Sequence, residues 1–554
     1  MLRQFAVGNF KAFGETQKVP IRPITLLYGP NSAGKSTVID ALYFLKQAIT
    51  DNNIDVSKAS TGGELLDLGG FRQFLHRRDP ENVLSLSVQF DMPPFDWISK
   101  MGKEKKATKS LGIRLVAALT HYTTEDNQGI WSDPRVMGYS LDLNKEELLS
   151  MILSVEDFRL RALSINPFNA AYAEWMDEAV QAGPPPHHRT PEDNELIARV
   201  VNERLIPNTY LSRGTVLPTE LRFEEHAERS VTSEHLNSRE KSLFDAIHHT
   251  FWLNINGMVE RAAESLVQEL QKLKYLGPLR FYPPRRIIFP DALRSAGGNE
   301  GDETWTQIFT NTKALNKINS WLLRTDSQYE LAIRHLTPFD ESLENLLKSS
   351  IDNPGMSRPG QRPEQTFKGM PTNQSVIADP EGEAARIRQA KERRELDAIR
   401  ELILLDRRYN PPVPVSHRDI GIGISQMLPV LAYAFGNQGK TITIEQPEIH
   451  LHPKLQAELA DVFIESALGE PKNTFILETH SEHLILRILR RIRETAEGEL
   501  PEGAQPVRPS DVQIIYAQPS DKGTVLHSID ITDEGEFAQK WPEGFFPERA
   551  KELF

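Results

Sequence analysis

With 554 residues and no cysteine, the chain cannot be a small disulfide scaffold, and it holds no thiolate metal site or thiol nucleophile. Apolar residues make up 39% and charged residues 25%, ordinary globular usage that excludes wholesale disorder and fibrous architecture and leaves room for about two to four domain-sized units. Lys and Arg number 64 against 77 Asp and Glu, a formal net charge of −13 that disfavours an all-over nucleic-acid coat and leaves space for a local basic stripe.

Leu2 to Val7 and Ile24 to Tyr28 are apolar runs of strand length, and Thr37 to Leu45 has helical spacing. Between the second strand and that helix lies Gly29-Pro30-Asn31-Ser32-Ala33-Gly34-Lys35-Ser36, the pattern G-x-x-x-x-G-K-[ST] in the strand-to-helix context its chemistry needs. Glycines let the backbone curl so that its N–H groups converge on phosphate oxygens. The helix N-terminus adds about half a positive charge, Lys35 reaches the terminal phosphates, and Ser36 offers a hydroxyl to Mg²⁺, with Thr37 next in the helix. The segment therefore reads as an ATP-type phosphate cradle.

Val83 to Phe90 alternates like another strand. Beyond it, strand-like pieces (Ile113 to Leu119, Met137 to Leu143) give way to long helical patterns broken by a Pro-rich turn at Gly183 to Asp193. The expected organisation is an N-terminal half-head over 1–90, a mostly helical insertion over 91–275, and a connecting region over 276–404. The connecting region contains a Pro/Gly/Ser-rich loop, 349–382, expected to be mobile, and a charged helix from Glu383 to Leu405. The second half-head spans 405–535, and 536–554 form a tail.

In that second half, Asp419-Ile-Gly421-Ile-Gly423-Ile-Ser425-Gln426 is a Gly-rich turn leading into the helical Met427 to Phe435, a device that presents N–H groups and a hydroxyl to an anion. Within one subunit a sheet cannot readily bring both this turn and the first loop to one nucleotide; two copies can. Thr441 to Glu445 is a buried strand ending in carboxylates, Glu445-Gln446-Pro447-Glu448, and Glu445 is placed to hold hydrated Mg²⁺. His450 and His452 follow without a third ligand at metal spacing, which favours a packing or dimer-contact role. Strand Thr474 to Glu478 leads to His480, within reach of a γ-phosphate or an attacking water. Arg487, Arg490, Arg491 and Arg493 then line a helix, either solvated or facing a partner or nucleic-acid backbone. Val512 to Ala517 and Thr524 to Ile529 read as closing strands.

The set NFKAFG…ITLLYGPNSAGKST, DIGIGISQMLPVL, TITIEQPEIHLHP and ETHSEHL resembles the ATP-binding-cassette ATPases of the chromosome-maintenance and recombination-repair kind. Within them it is most similar to the overcoming-lysogenisation-defect-like ATPases of prokaryotic defence systems. The resemblance implies an α/β fold, a split P-loop ATPase head of mixed sheet and flanking helices interrupted by a long insertion. It makes Gly29 to Ser36 the Walker A loop, Glu445 the Walker B acid, Gly423 to Gln426 the signature and His480 the switch histidine. It further implies ATP and Mg²⁺ as cofactors, homo-oligomers closed through the heads, and a separate effector, a nuclease or toxin, in anti-phage defence. Gln73 is the candidate for the glutamine that contacts Mg²⁺ in such sites, an ordinary polar role fitting equally well.

Gln446 stands where these sites usually carry the glutamate that handles the attacking water, so hydrolysis is expected to be slow, with Glu448 as substitute base or with ATP as a holding switch. After His480 no Asp/Glu cluster of a nuclease domain is expected. The rival readings are a repair or recombination ATPase that clamps DNA directly, and a scaffold that binds ATP without hydrolysing it. No stretch approaches the roughly 18 uninterrupted apolar residues of a membrane span. A cytoplasmic location without membrane contact is the expectation.

Overall fold

The apolar runs around the two candidate loops assemble into one six-stranded sheet in the computed structural model, which describes residues 1–60, 65–91, 110–123, 129–154, 156–169, 190–211, 215–224, 238–278, 280, 287–288, 308, 311–325, 327–336, 399–415 and 420–541. In spatial order its strands are Leu273–Leu276, Thr441–Glu445, Thr474–Glu478, Ile24–Tyr28, Val512–Gln518 and Val525–Ile529. The first five run parallel and the last is antiparallel to its neighbour. Ile24–Tyr28 and Thr474–Glu478 are buried at every position, as continuous apolar strands must be when both faces of a parallel sheet are covered. The flanking helices include Lys35–Thr50, Pro453–Leu468 and Glu482–Glu497. Because the strands run together, the turns after Tyr28, Glu445 and Glu478 all leave the same edge of the sheet, the usual position of a ligand site in an open α/β sheet.

A second, nine-stranded antiparallel sheet departs from the expectation for 91–275. Its order runs from Leu221–Phe223 through Thr209–Leu211, Leu160–Ile165, Glu146–Leu153, Gly129–Leu143, Ser110–Thr123, Leu84–Asp91 and Leu2–Gly8 to Gln17–Pro20. The described residues from 110 to 165 are thus mainly strand, and helix is concentrated at Pro191–Val200 and Ser238–Gln271. The apolar piece at 113–119 is the centre of strand Ser110–Thr123 and that at 137–143 the C-terminal half of Gly129–Leu143, and the rest of each strand is held by cross-strand pairing, a contribution no local pattern displays. Nor does the chain break at residue 90: Leu84–Asp91 alternates buried Leu84, Leu86, Val88 and Phe90 with half-buried partners and pairs along its full length with Ser110–Thr123. The Pro-rich turn ends in a helix start, where Pro191 occupies the first turn and Thr190 and Asp193 form a reciprocal capping box.

One apolar core joins this sheet to the helix behind the phosphate loop, with Phe10, Phe44, Phe71 and Phe74 as an aromatic cluster. Met1–Arg280 and Gln426–Phe554 make up one compact unit, Phe281–Ser425 a second. The second unit contains strands Ile287–Ile288, Tyr329–Leu336, Ile399–Asp406 and Val413–Val415 with helix Thr312–Arg324. The charged helix expected over Glu383 to Leu405 is corrected at its end: 399–405 belong to strand Ile399–Asp406, paired throughout with Tyr329–Leu336 and carrying the cross-strand pair Arg334–Glu401. Residues 383–398, and the loop at 349–382, lie outside the described residues. Among the described residues no helix is long and apolar enough to cross a membrane.

Candidate nucleotide-binding site

The loop after Tyr28 takes the backbone its glycines permit. Gly29 and Gly34 have φ of 145° and 86°, and Ser32 joins them in the left-handed region at 60°. A side chain at Gly34 would place its Cβ 2.6 Å from the Ala12 Cβ, and one at Gly29 would come 2.5 Å from the Ala517 carbonyl oxygen. From behind, the Thr524 hydroxyl donates to the Ala33 carbonyl (2.8 Å) and the Thr524 N–H to the Ala12 carbonyl (2.8 Å). Helix Lys35–Thr50 begins at Gly34 with no side-chain cap and no acidic residue of its own in its first turn, so its N-terminal N–H groups and dipole face the loop. Pro30, Asn31 and Ser32 are exposed, while Ala33, Lys35 and Thr37 are buried. The Lys35 ammonium donates to the Gly29 and Pro30 carbonyls (3.1 and 2.9 Å), and burial lowers its pKa against the opposing pull of Glu478 and Glu448. Gly34→Ala is expected to lose about 1–2 kcal/mol to left-handed strain alone, more once Ala12 is displaced. Chemical denaturation measures the loss, and unchanged stability would show that the cradle does not need this backbone.

Glu445 ends its strand half-buried and accepts a hydrogen bond from the Tyr275 hydroxyl (2.9 Å). Its register partner on the next strand is Glu478. Glu478 meets the loop: the Ser36 hydroxyl donates to its Oε2 at 2.7 Å, and the Lys35 ammonium lies 4.0 Å from its Oε1. Burial raises the pKa of Glu478, opposed by Ser36 and Lys35. Sequence reasoning passed over Glu478, although the signal was there in a carboxylate closing an apolar strand two residues before His480.

Gln446 has φ of 47°, donates its N–H to the Glu478 carbonyl (2.7 Å) and accepts from the Arg280 guanidinium at its own carbonyl. Glu448 is 8% exposed, with Oε2 accepting from the Thr479 hydroxyl (2.7 Å) and Oε1 from the His480 N–H (2.6 Å). Burial pushes its pKa up. Both Glu448 oxygens are thus tied to the segment around His480, each with a lone pair left over. His480 is pushed down by burial and by Lys35, which favours a neutral imidazole at pH 7. Ser481 caps helix Glu482–Glu497, and its carbonyl accepts from the Tyr28 hydroxyl (2.6 Å). Arg280, just beyond strand Leu273–Leu276, donates to both the Gln426 carbonyl (2.8 Å) and the Gln446 carbonyl. Burial lowers its pKa to about 10, Glu448 opposing.

The Gly-rich turn is itself the first turn of a helix, Ile422–Gly436, which starts earlier than its apolar spacing shows because Gly421 and Gly423 add no apolar face. Gly423, Ser425 and Gln426 therefore sit at a helix N-terminus; Ser425 is buried, and its N–H donates to the Gly421 carbonyl. Asp419 lies outside the described residues. Gln73 is exposed on the short helix Phe71–Phe74, and none of its hydrogen bonds reaches the phosphate loop. His452 caps helix Pro453–Leu468, accepting from the Lys454 N–H (3.3 Å), and His450 is exposed. Among the described residues no group of three His, Asp or Glu is arranged to hold a metal. Arg487 and Arg491 are paired with Asp461, and Arg490 and Arg491 with Glu494, so these three face carboxylates of their own chain.

No curated protein matches the chain. Among solved structures it is similar to an SMC head bound to the C-winged helix domain of ScpA, at 9% identity and TM-score 0.33 over 96% of this chain and 97% of that one. It is also similar to the SMC head domain from Thermotoga maritima, at 7% identity and TM-score 0.32 over 96% and 99%. Residues 507–554 match a family described as a protein of unknown function. Residues 1–136 and 278–485 match the family described as the AAA ATPase domain, two segments that meet in the six-stranded sheet and hold both the phosphate loop and the Glu445-to-His480 edge. With more than half of its length so matched, the chain belongs to the AAA ATPase domain family, as a P-loop ATPase head split by an insertion.

Proposed function

We propose that the protein binds Mg-ATP between the heads of two copies and hydrolyses it slowly, ATP serving to hold the assembly and hydrolysis to release it. The observation that carries this reading is the loop of Gly29 to Ser36, whose glycine backbone, uncapped helix start and buried lysine form an anion cradle with a hydroxyl and carboxylate at its rim. These groups fit the triphosphate and its cation. Mg²⁺, when bound, supplies charge neutralisation across the phosphates. Lys35 would exchange the Gly29 and Pro30 carbonyls for phosphate oxygens, Ser36 would turn its hydroxyl lone pairs to the cation, and neutral His480 would hydrogen-bond at the terminal phosphate. Gln446 can orient a water but cannot take its proton, which supports slow turnover, with Glu448 as the substitute base or ATP as a holding switch.

Gly423, Ser425 and Gln426, at the start of their helix, would receive the nucleotide held by a second copy. By resemblance, the assembly would act as sensor or scaffold for a separate nuclease or toxin in cytoplasmic anti-phage defence. The ion pairs of Arg487, Arg490 and Arg491 weigh against direct clamping of DNA by that helix. Light scattering with and without Mg-ATP tests the reading. Wild type is expected to grow in mass on adding Mg-ATP, and Gly423→Glu, which sets a carboxylate at the phosphate-receiving helix start, is expected to bind ATP without growing. Phosphate release should be measurable and vanish in Lys35→Ala. Wild type that fails to bind Mg-ATP, or Gly423→Glu that assembles normally, overturns it.

A further inference from the structure

We infer that Trp541 is a positioning residue for His480, and that the segment from Val525 to Trp541 clamps the nucleotide site from the side of the sheet that carries helix Glu482–Glu497. The inference rests on the Mg-ATP reading, in which His480 serves the terminal phosphate, and it makes that role depend on an aromatic contact made sixty residues further along the chain.

The segment around His480 is pinned on both sides to the strand that feeds the phosphate loop. The Thr479 N–H donates to the Leu27 carbonyl (3.1 Å), and the Ser481 carbonyl accepts from the Tyr28 hydroxyl (2.6 Å). The first pin is backbone to backbone and continues the pairing of strands Thr474–Glu478 and Ile24–Tyr28. The second runs through a side chain, so it holds only while the Tyr28 ring keeps its orientation. Tyr28 is 2% exposed, and burial raises its pKa well above the ordinary value, so the hydroxyl stays a donor. The Ser481 hydroxyl is itself committed, accepting from the Leu484 N–H (3.1 Å) and donating to Gln456 Oε1 (2.6 Å).

Trp541 fixes the Tyr28 ring. Its indole meets Tyr28 edge-on, with centroids 5.7 Å apart and planes at 80°. It meets Tyr516, the register partner of Tyr28 on the next strand, at 5.6 Å and 71°. Phe537 packs on the indole at 5.1 Å. The chain reaches this place by a closed turn after strand Val525–Ile529, with the Thr532 N–H donating to the Glu536 carbonyl (2.8 Å) and the Ala538 N–H to the Asp530 carbonyl (2.9 Å). Gly535, at φ of 70°, lies so close to helix Glu482–Glu497 that a Cβ there would come 2.1 Å from the Leu489 carbonyl oxygen. The segment therefore touches both the helix that begins after Ser481 and the ring that holds Ser481. Without the indole, Tyr28 and Tyr516 lose their common aromatic neighbour, the Tyr28 ring gains freedom to turn, and the segment around His480 keeps its Leu27 pin while the Tyr28 pin loosens. The phosphate loop retains its own anchors, the Thr524 hydroxyl on the Ala33 carbonyl and the pairing of Ile24–Tyr28 on both sides, so ATP binding is expected to persist.

The test separates binding from the chemical step in the full chain. Single-turnover phosphate release and calorimetric Mg-ATP affinity are measured for wild type, Trp541→Ala, Trp541→Phe and Tyr28→Phe. Trp541→Ala is expected to release phosphate at least about tenfold more slowly, within the roughly hundredfold that a displacement of about 1 Å can cost, while its Mg-ATP affinity stays within about threefold of wild type. Trp541→Phe keeps a ring against Tyr28 and is expected to recover most of the rate. Tyr28→Phe keeps the ring packing, removes the donor to Ser481 and is expected to reproduce the loss. A wild-type rate in Trp541→Ala or in Tyr28→Phe overturns the inference. So does a Trp541→Ala affinity that falls as far as its rate, the mark of a merely structural role, or a Trp541→Phe rate no better than that of Trp541→Ala. Should Trp541→Ala not fold, Tyr28→Phe, which deletes one hydroxyl and no packing, decides the matter by the same split. Wild type that binds no Mg-ATP overturns the Mg-ATP reading itself, a result distinct from all of these.

Discussion

Glu448→Ala is expected to destabilise the protein by about 3–5 kcal/mol, the scale for breaking a buried charged network from one side, whereas Glu445→Ala at its half-buried strand tip costs far less. The carboxylate of Glu448 joins two turns of the candidate site: it lies three residues beyond strand Thr441–Glu445, and its oxygens receive the Thr479 hydroxyl and the His480 N–H beyond strand Thr474–Glu478. Alanine strands both donors and leaves Arg280 without its nearby anion. Glu448→Gln keeps an acceptor for His480, and the Thr479 hydroxyl can rotate, so its loss is expected to be smaller. Urea unfolding of the three variants measures the order, and a Glu448→Ala loss no larger than that of Glu445→Ala would show that the network is not structural. The pH dependence has a definite sign. Burial holds the Glu448 carboxyl above the ordinary glutamate value, so the folded state keeps the proton that the unfolded state has released. Its contribution to stability therefore falls as pH rises from the ordinary value through the raised one. Glu448→Gln is expected to flatten that part of the profile.

Arg280→Ala is expected to cost about 2–5 kcal/mol and, unlike most substitutions, to be strongly non-additive with Glu448→Ala. Its guanidinium fork donates to two carbonyls, Gln426 in helix Ile422–Gly436 and Gln446 just after strand Thr441–Glu445, from a position only 5% exposed. Arg280→Lys keeps the charge but not the planar fork, so it should restore part of the stability while leaving one carbonyl unserved. Because Gln446 follows Glu445 directly and also donates to the Glu478 carbonyl, a loosened turn is expected to slow phosphate release more than it weakens ATP binding. Equal losses in the two would mean that Arg280 supports the fold without tuning the site. A double-mutant cycle read by thermal unfolding is expected to give a coupling of about 0.5–3 kcal/mol.

Much of the site could be read before the fold was known. The phosphate loop is a contiguous device whose glycines, lysine and hydroxyl announce themselves, and its flanking strand and helix stand where the loop chemistry requires. The buried parallel strands Ile24–Tyr28, Thr441–Glu445 and Thr474–Glu478 were legible too, because burial on both faces leaves unbroken apolar runs. Where strand and helix had to be told apart by distant partners, local pattern failed. Residues 110–165 and 399–406 are strands because of the strands beside them. The arginines after His480 form an amphipathic helix in either environment, and only the packing of helix Pro453–Leu468 supplies Asp461 to pair with two of them.

Local covalent order was therefore enough to specify a phosphate-loop pattern, since its glycines, Lys35 and Ser36 lie within eight consecutive residues. It could not specify which acid faces Ser36. Glu445 and Glu478 both close apolar strands, and only the tertiary sheet, by inserting Thr474–Glu478 beside Ile24–Tyr28, brings Glu478 to the hydroxyl and turns Glu445 toward Tyr275. Strand order is set by how whole faces pack, and that information is spread over the chain.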